Sequence, residues 1–251
     1  SWRAEWIRAQ AKQGNWVLVA QQGSLMLQPE LDVQCYSLLP RVNNGDAAAK
    51  EAGRAVWVTG TDSPEACQLL FDALWANGEI KASDGWLRAR RQVATNKLNL
   101  ARQTLSVMRV NANDAAGGLD AVLSKPVIYL ERVGTPNDEI QKELVTLALV
   151  RMARNEPSSA VSALKRYGSG LDRAQQEYVW GIIGWQLGVQ QSPEALDAVK
   201  RSGTILLPDD AEAWRVRVAV RAQDWGLVKK SIEAMPEPMI NAPEWVYWLG
   251  R

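Results

Sequence analysis

Cys35 and Cys67 are the only thiols in this 251-residue sequence, and it contains no histidine. A thiol can join a disulfide, ligate a metal or act as a nucleophile, and the missing histidine narrows that choice. Without imidazole there is no Cys-His or Ser-His dyad, the commonest general base is gone, and two thiols lack the partners a metal site needs. From spacing alone, two free core thiols and one bridge both remain open. Carboxylates are the other reactive class, 28 Asp and Glu against 29 Lys and Arg, yet no two stand out as an acid–base dyad. Glu156, before Pro157-Ser158-Ser159, and Glu194, after Ser192-Pro193, read as charges placed at helix N-termini. The sequence therefore offers no catalytic residue, no metal site and no cofactor site, and leaves the cysteine pair as its one candidate site.

Three short helices must position that pair. Cys35-Tyr36 opens the first, which runs out at Asn43-Asn44-Gly45-Asp46. The second starts with Ala47-Ala48-Ala49 and ends at Trp57-Val58-Thr59-Gly60. For the third, Ser63 reads as the N-cap and Pro64 as the first helical residue, where its missing N–H costs nothing. Ala66, Leu69, Leu70 and Ala73 give it one apolar face, and it closes at Asn77-Gly78.

The rest of the chain is also helical in period. Val145, Ala148, Leu149 and Met152 form one face, and Tyr178, Ile182 and Trp185 another. No run alternates like a strand. The best candidate, Val127-Ile128-Tyr129-Leu130 after Pro126, reads as a brief helical turn. Breakers at Gly14-Asn15, Gly60–Ser63, Gly134-Thr135-Pro136, Gly168–Gly170 and Pro236–Pro238 help divide the chain into roughly 13 to 15 helices joined by short loops. Gly14-Asn15-Trp16, Gly45-Asp46-Ala47 and Gln223-Asp224-Trp225 echo one another as helix starts. Their period is too irregular for a strict repeat array, so the expected fold is all-α, an irregular αα-superhelix of stacked helix pairs.

Composition excludes several roles. A net charge of +1 argues against a nucleic-acid surface. No apolar run approaches the ~20 residues of a membrane span. The run Arg88-Ala89-Arg90-Arg91 reads as a solvated helix face. Twelve tryptophans against one phenylalanine could suggest sugar stacking, but their spread over most helices favours packing between helices. Ser1-Trp2-Arg3-Ala4-Glu5-Trp6 reads as the middle of a helix, so the chain is expected to be cut from a longer precursor. Trp2, Trp6 and Ile7 at one end, and Trp245, Val246, Trp248 and Leu249 at the other, are expected to be cut solenoid faces.

The order of residues around the cysteines resembles the N-terminal superhelical domain of the soluble lytic murein transglycosylases. It rests on Cys35, Tyr36, Gly45, Trp57, Gly60, Ser63, Pro64, Cys67, Leu70, Phe71, Trp75 and Gly78. A second block is similar too: Trp214-Arg215-Val216-Arg217, Asp224-Trp225, Met235-Pro236 and Glu244-Trp245-Val246-Tyr247-Trp248. Together they carry the resemblance over nearly the whole chain.

The resemblance implies a periplasmic protein, where disulfides persist, and hence a Cys35–Cys67 bridge. It implies that residues 1–251 are one superhelical domain of a longer enzyme whose lysozyme-like catalytic domain is absent here. Such an enzyme cleaves peptidoglycan between N-acetylmuramic acid and N-acetylglucosamine, leaving a 1,6-anhydro end, with one glutamic acid as acid and then base. The family's Glu-Ser, Gly-Leu-Met-Gln and Ala-Tyr-Asn-Ala-Gly segments do not occur; Gly23-Ser24-Leu25-Met26-Leu27-Gln28 has similar composition but reads as a loop before Pro29. The expected role is a non-catalytic scaffold, inactive alone. Its partners would be glycan strands met through the parent enzyme, the missing catalytic domain and cell-wall proteins. The alternative is a tetratricopeptide-like adaptor binding peptides or proteins in a concave groove.

Overall fold

The computed structural model describes residues 1–60, 62–110, 118–237 and 239–250. Thr61 and Pro238, which belong to two of the expected turns, lie outside the described residues. Among the described residues all regular structure is helical: sixteen α-helices and two short 3-10 turns. The all-α expectation holds. The packing forms two units, Ser1–Ala89 and Arg90–Arg251.

The first unit holds α1 (Trp2–Lys12), α2 (Trp16–Gly23), α3 (Leu31–Asn43), α4 (Ala47–Val58), α5 (Glu65–Ala76) and the start of α6 (Ala82–Ala94). Helix α3 is its hub, packing on α1, α2, α4 and α5. Val33 joins Ala4, Ile7, Ala11 and Val19 in one cluster. Cys35, Leu38, Leu39 and Val42 join Ala49, Val56, Trp57, Cys67, Leu70, Phe71 and Leu74 in another. The turns echo as expected. Gly14, Gly45 and Gln223 all have positive φ, and the Asp that follows two of them caps its helix: Asp46 accepts from the N–H groups of Ala48 and Ala49, and Asp224 from that of Leu227.

Local details differ from the sequence reading around the cysteines. Helix α3 begins at Leu31, ahead of Cys35. Pro64, with ψ of 155°, is still extended, so α5 starts one residue later than expected and Ser63 is not its cap position. The buried face of α5 is Ala66, Cys67, Leu70, Phe71 and Leu74, while Leu69 is 50% exposed. The face turns by about one residue because Cys67 is drawn onto α3. Cys35 and Cys67 are bonded, with Cα atoms 4.9 Å apart, and both are fully buried. Trp57 then meets Phe71 and Trp75 edge-on, at 5.2 and 5.7 Å between ring centroids.

The second unit holds the end of α6, then α7 (Leu98–Val107), α8 (Gly118–Ser124), α9 (Pro126–Val133), α10 (Glu139–Asn155), α11 (Pro157–Tyr167), α12 (Arg173–Val189), α13 (Ala195–Arg201), α14 (Asp209–Arg221), α15 (Trp225–Glu233) and α16 (Pro243–Leu249). The expected turn at Val127–Leu130 is the eight-residue α9. Helix α10 touches α8, α9, α11 and α12, so residues 144–150 are buried all round rather than on one face. Helix α12 packs on α10, α11, α13 and α14 in turn.

The arginine run of α6 is not a solvated face. Arg88 and Arg90 are both 6% exposed. Arg88 donates to the Trp57 carbonyl at 2.5 Å and lies 4.3 Å over the Trp57 ring; burial pushes its pKa down to about 10. Arg90 donates through Nε and Nη2 to Glu143, which also accepts from Gln175 at 3.1 Å. Arg91 donates to the Leu207 carbonyl at 2.9 Å. Internal acceptors replace water, so the stems can pack.

The tryptophans divide. Trp57, Trp86, Trp185 and Trp245 are buried, while Trp2 and Trp225 are 77% and 53% exposed. Of the apolar residues near the ends, Ile7 and Trp245 are core residues, whereas Trp2, Val246 and Leu249 are exposed.

The bridge generates the first prediction. Closing a loop of this length contributes ~3–4 kcal/mol in the chain-entropy model. Cys35→Ser/Cys67→Ser should lose about that much stability, read by urea unfolding. Intact mass after alkylation should show both thiols modified only once reductant is present.

Candidate functional site

The helix that carries most of the chemistry in the second unit is α14, and its two faces differ. Glu212 and Arg215 point inward. Trp214, Arg217, Val218 and Arg221 follow i, i+3, i+4, i+7 on the opposite face and line a groove.

Inside, Glu212 Oε2 and Arg215 Nη1 are 2.8 Å apart, with side chains 1% and 2% exposed. The other Glu212 oxygen accepts from the Leu207 N–H at 2.8 Å, and Arg215 Nη2 donates to the Ile205 carbonyl at 2.8 Å. The pair thus pins the 205–207 segment onto α14. Burial pushes the Glu212 carboxyl up, against the pull of Arg215, and pushes the Arg215 guanidinium down. An up-shifted glutamic acid is what a general acid needs, but this one does not line the groove on the other side of α14, and both its oxygens are held by the protein. Its role is structural.

Outside, the groove encloses about 560 Å³. One wall is the outward face of α14. The other is the end of α12 with Gln191, Ser192 and Pro193, then Ala195 and Leu196 of α13. Glycine lets these walls approach. A Cβ on Gly188 would lie 2.7 Å from Val218 Cγ2 and 3.2 Å from Trp214 Cε3. The Arg217 guanidinium lies 5.4 Å from the Trp214 ring centroid and 6.0 Å from that of Trp245. In the sequence Trp214-Arg215-Val216-Arg217 stands as one block; the i, i+3, i+4, i+7 spacing of Trp214, Arg217, Val218 and Arg221 is the signal that separates its faces.

Two further acids are held by arginines of the chain. Asp84 is 1% exposed; burial alone would raise its carboxyl, but the Arg54 guanidinium at 2.8 Å and the Lys81 N–H at 2.9 Å outweigh that and hold it below the usual range. Asp32 is likewise held down, first by its hydrogen bond from Arg8. The described residues contain no group of three or more Cys, Asp or Glu able to hold a metal, and no helix long and apolar enough to cross a membrane. Cys35 and Cys67 belong to the first unit and the groove lies wholly within the second.

No protein-family model matches the chain. In sequence it is similar to the soluble lytic murein transglycosylase of Escherichia coli K12, 21% identical over 240 residues, a match covering 90% of this chain and 37% of that protein. The Salmonella typhimurium protein of the same name is 22% identical over 243 residues, with the same coverage. Among solved structures, an inactive mutant of the lytic transglycosylase Slt from Pseudomonas aeruginosa superposes with a TM-score of 0.63 at 21% identity, covering 99% of this chain and 41% of that one. That likeness shows a shared all-helical fold. The chain spans well under half the length of these relatives.

Two predictions follow from the buried charges. Arg215→Ala leaves Glu212 without its counter-charge and should cost about 3–5 kcal/mol at neutral pH. The loss should shrink in acid, because a native state holding the freed carboxyl protonated gains stability as pH falls; urea titrations at neutral and mildly acid pH read this. Asp84 has the opposite sign. Its folded pKa is depressed, so its contribution is present above the unfolded value of about 4 and is lost as pH falls through the folded one. Asp84→Asn should cost about 2 kcal/mol at neutral pH and flatten the acid limb of the stability curve.

Proposed function

We propose that this chain, a relative of the soluble lytic murein transglycosylases along nine-tenths of its length, is the non-catalytic helical scaffold of a periplasmic enzyme that cleaves peptidoglycan glycan strands. The observation that carries this reading is the coverage: the match takes in 90% of this chain and 37% of the relative, which leaves room in the parent for a lysozyme-like catalytic domain.

Other observations support it. The segments that the resemblance links to catalysis do not occur in the 251 residues. The up-shifted carboxylate, Glu212, is consumed in an internal ion pair. The Cys35–Cys67 bridge suits an oxidising compartment. In this reading the parent acts between N-acetylmuramic acid and N-acetylglucosamine to give 1,6-anhydro products. The helices described here shape access to its active site and offer surfaces to the catalytic domain and to cell-wall proteins.

The test uses purified murein sacculi and mass spectrometry of the soluble products. The chain alone should release no anhydromuropeptides above the buffer control, while the full gene product should release them. Deleting this region from the parent should lower turnover on sacculi more than on short soluble glycans. Anhydromuropeptides from the chain alone, or a parent indifferent to the deletion, would overturn the scaffold reading.

A further inference from the structure

Resting on that reading, we propose that the groove between α12 and α14 binds the carboxylate-bearing stem peptide of peptidoglycan. At about 560 Å³ the groove falls within the ~300–1,000 Å³ of small-ligand sites, enough for a peptide of a few residues.

Its charge selects the ligand. The lining residues include two arginines and no aspartate or glutamate. Several other arginines are spent on carboxylates of the chain itself: Arg8 on Asp32, Arg41 on Asp46, Arg54 on Asp84, Arg102 on Asp120. Among the described residues, neither Arg217 nor Arg221 has an ion pair. Arg217 lies beside the rings of Trp214 and Trp245, contacts that use none of its N–H donors. The two stand at i and i+4, with Cβ atoms about 5–6 Å apart. Their guanidiniums can therefore take two carboxylates of one short peptide, each as a bidentate pair.

The rest of the groove suits a peptide. Trp214, Leu196, Pro193 and Val218 give apolar surface, and Gln191 and Ser192 offer polar groups to an amide backbone. The glycan strand itself is a poorer fit. The lactyl carboxyl of its muramic acid is consumed in the amide to the stem, so the free carboxylates of murein lie on the peptide. A neutral sugar would leave both arginines unanswered.

The experiment titrates a synthetic, unamidated stem peptide into the full chain by isothermal calorimetry, with the fully amidated peptide and a neutral chitooligosaccharide as comparisons. The unamidated peptide should bind, binding should weaken as salt rises, and the two comparisons should bind at least tenfold more weakly. Arg217→Ala and Arg221→Ala should each weaken binding about tenfold, with helical circular dichroism unchanged. Arg217→Lys/Arg221→Lys, which keeps the charge but not the fork, should retain part of the affinity. No binding at millimolar peptide, equal binding of the amidated form, tighter binding of the sugar, or affinity untouched by both alanine variants would overturn the assignment. Because this titration reads binding and the sacculus assay reads products, the two readings fail separately. A chain that neither binds the peptide nor cleaves murein loses the groove assignment alone, and one that cleaves murein loses the scaffold reading whatever the groove binds.

Discussion

A buried guanidinium carries five N–H donors and a charge it does not give up, so burying it dictates where acceptors must stand. That constraint organises the interior of this chain. In the first unit, Arg88 is met by the Trp57 carbonyl, which accepts from it as well as from the Gly60 N–H at the end of α4, and by the face of the Trp57 ring. In the second, Arg90 requires Glu143, and Glu143 in turn takes Gln175, tying α10 to α12. Arg215 requires both Glu212 and the Ile205 carbonyl, which fixes the segment entering α14. Each is costly to break from one side, since the partner left behind would be a buried group without a mate. Helices that would otherwise slide along apolar faces are thereby held in register.

The same constraint explains what could be read from the sequence and what could not. Helices were legible because burial needs only local spacing: Val145, Ala148, Leu149 and Met152 repeat at helical intervals whatever covers them. Turns were legible at Gly45-Asp46 and Gln223-Asp224, where backbone sign and capping are local chemistry. The arginines of α6 were misread because their acceptors are remote in sequence, 31 residues away for Arg88 and 53 for Arg90. Polarity reports a residue's need for partners, not whether those partners are water. Leu69 failed in the reverse sense: its spacing matched a face, but the bridge to Cys35 turns α5 toward Cys67, and spacing alone does not see a cross-link.

The candidate site lay between these cases. Trp214, Arg215, Val216 and Arg217 are consecutive, and a helix sends consecutive residues to different sides. Which side is covered depends on α12, where Gly188 admits Val218 and Trp214 at distances a side chain would forbid. A residue with no side chain thus sets the groove's floor, and its effect on α14 has no signature in the α14 sequence.

Helix α14 shows how one helix can be anchored on one face and leave charge on the other. On its inner face Glu212 and Arg215 answer each other's charge, and the Leu207 N–H and Ile205 carbonyl bind them further. On its outer face Arg217 lies beside two aromatic rings, contacts that use none of its N–H donors. The inner ion pair anchors the helix, and with that charge answered inside, Arg217 and Arg221 are the charges the helix presents on its groove side.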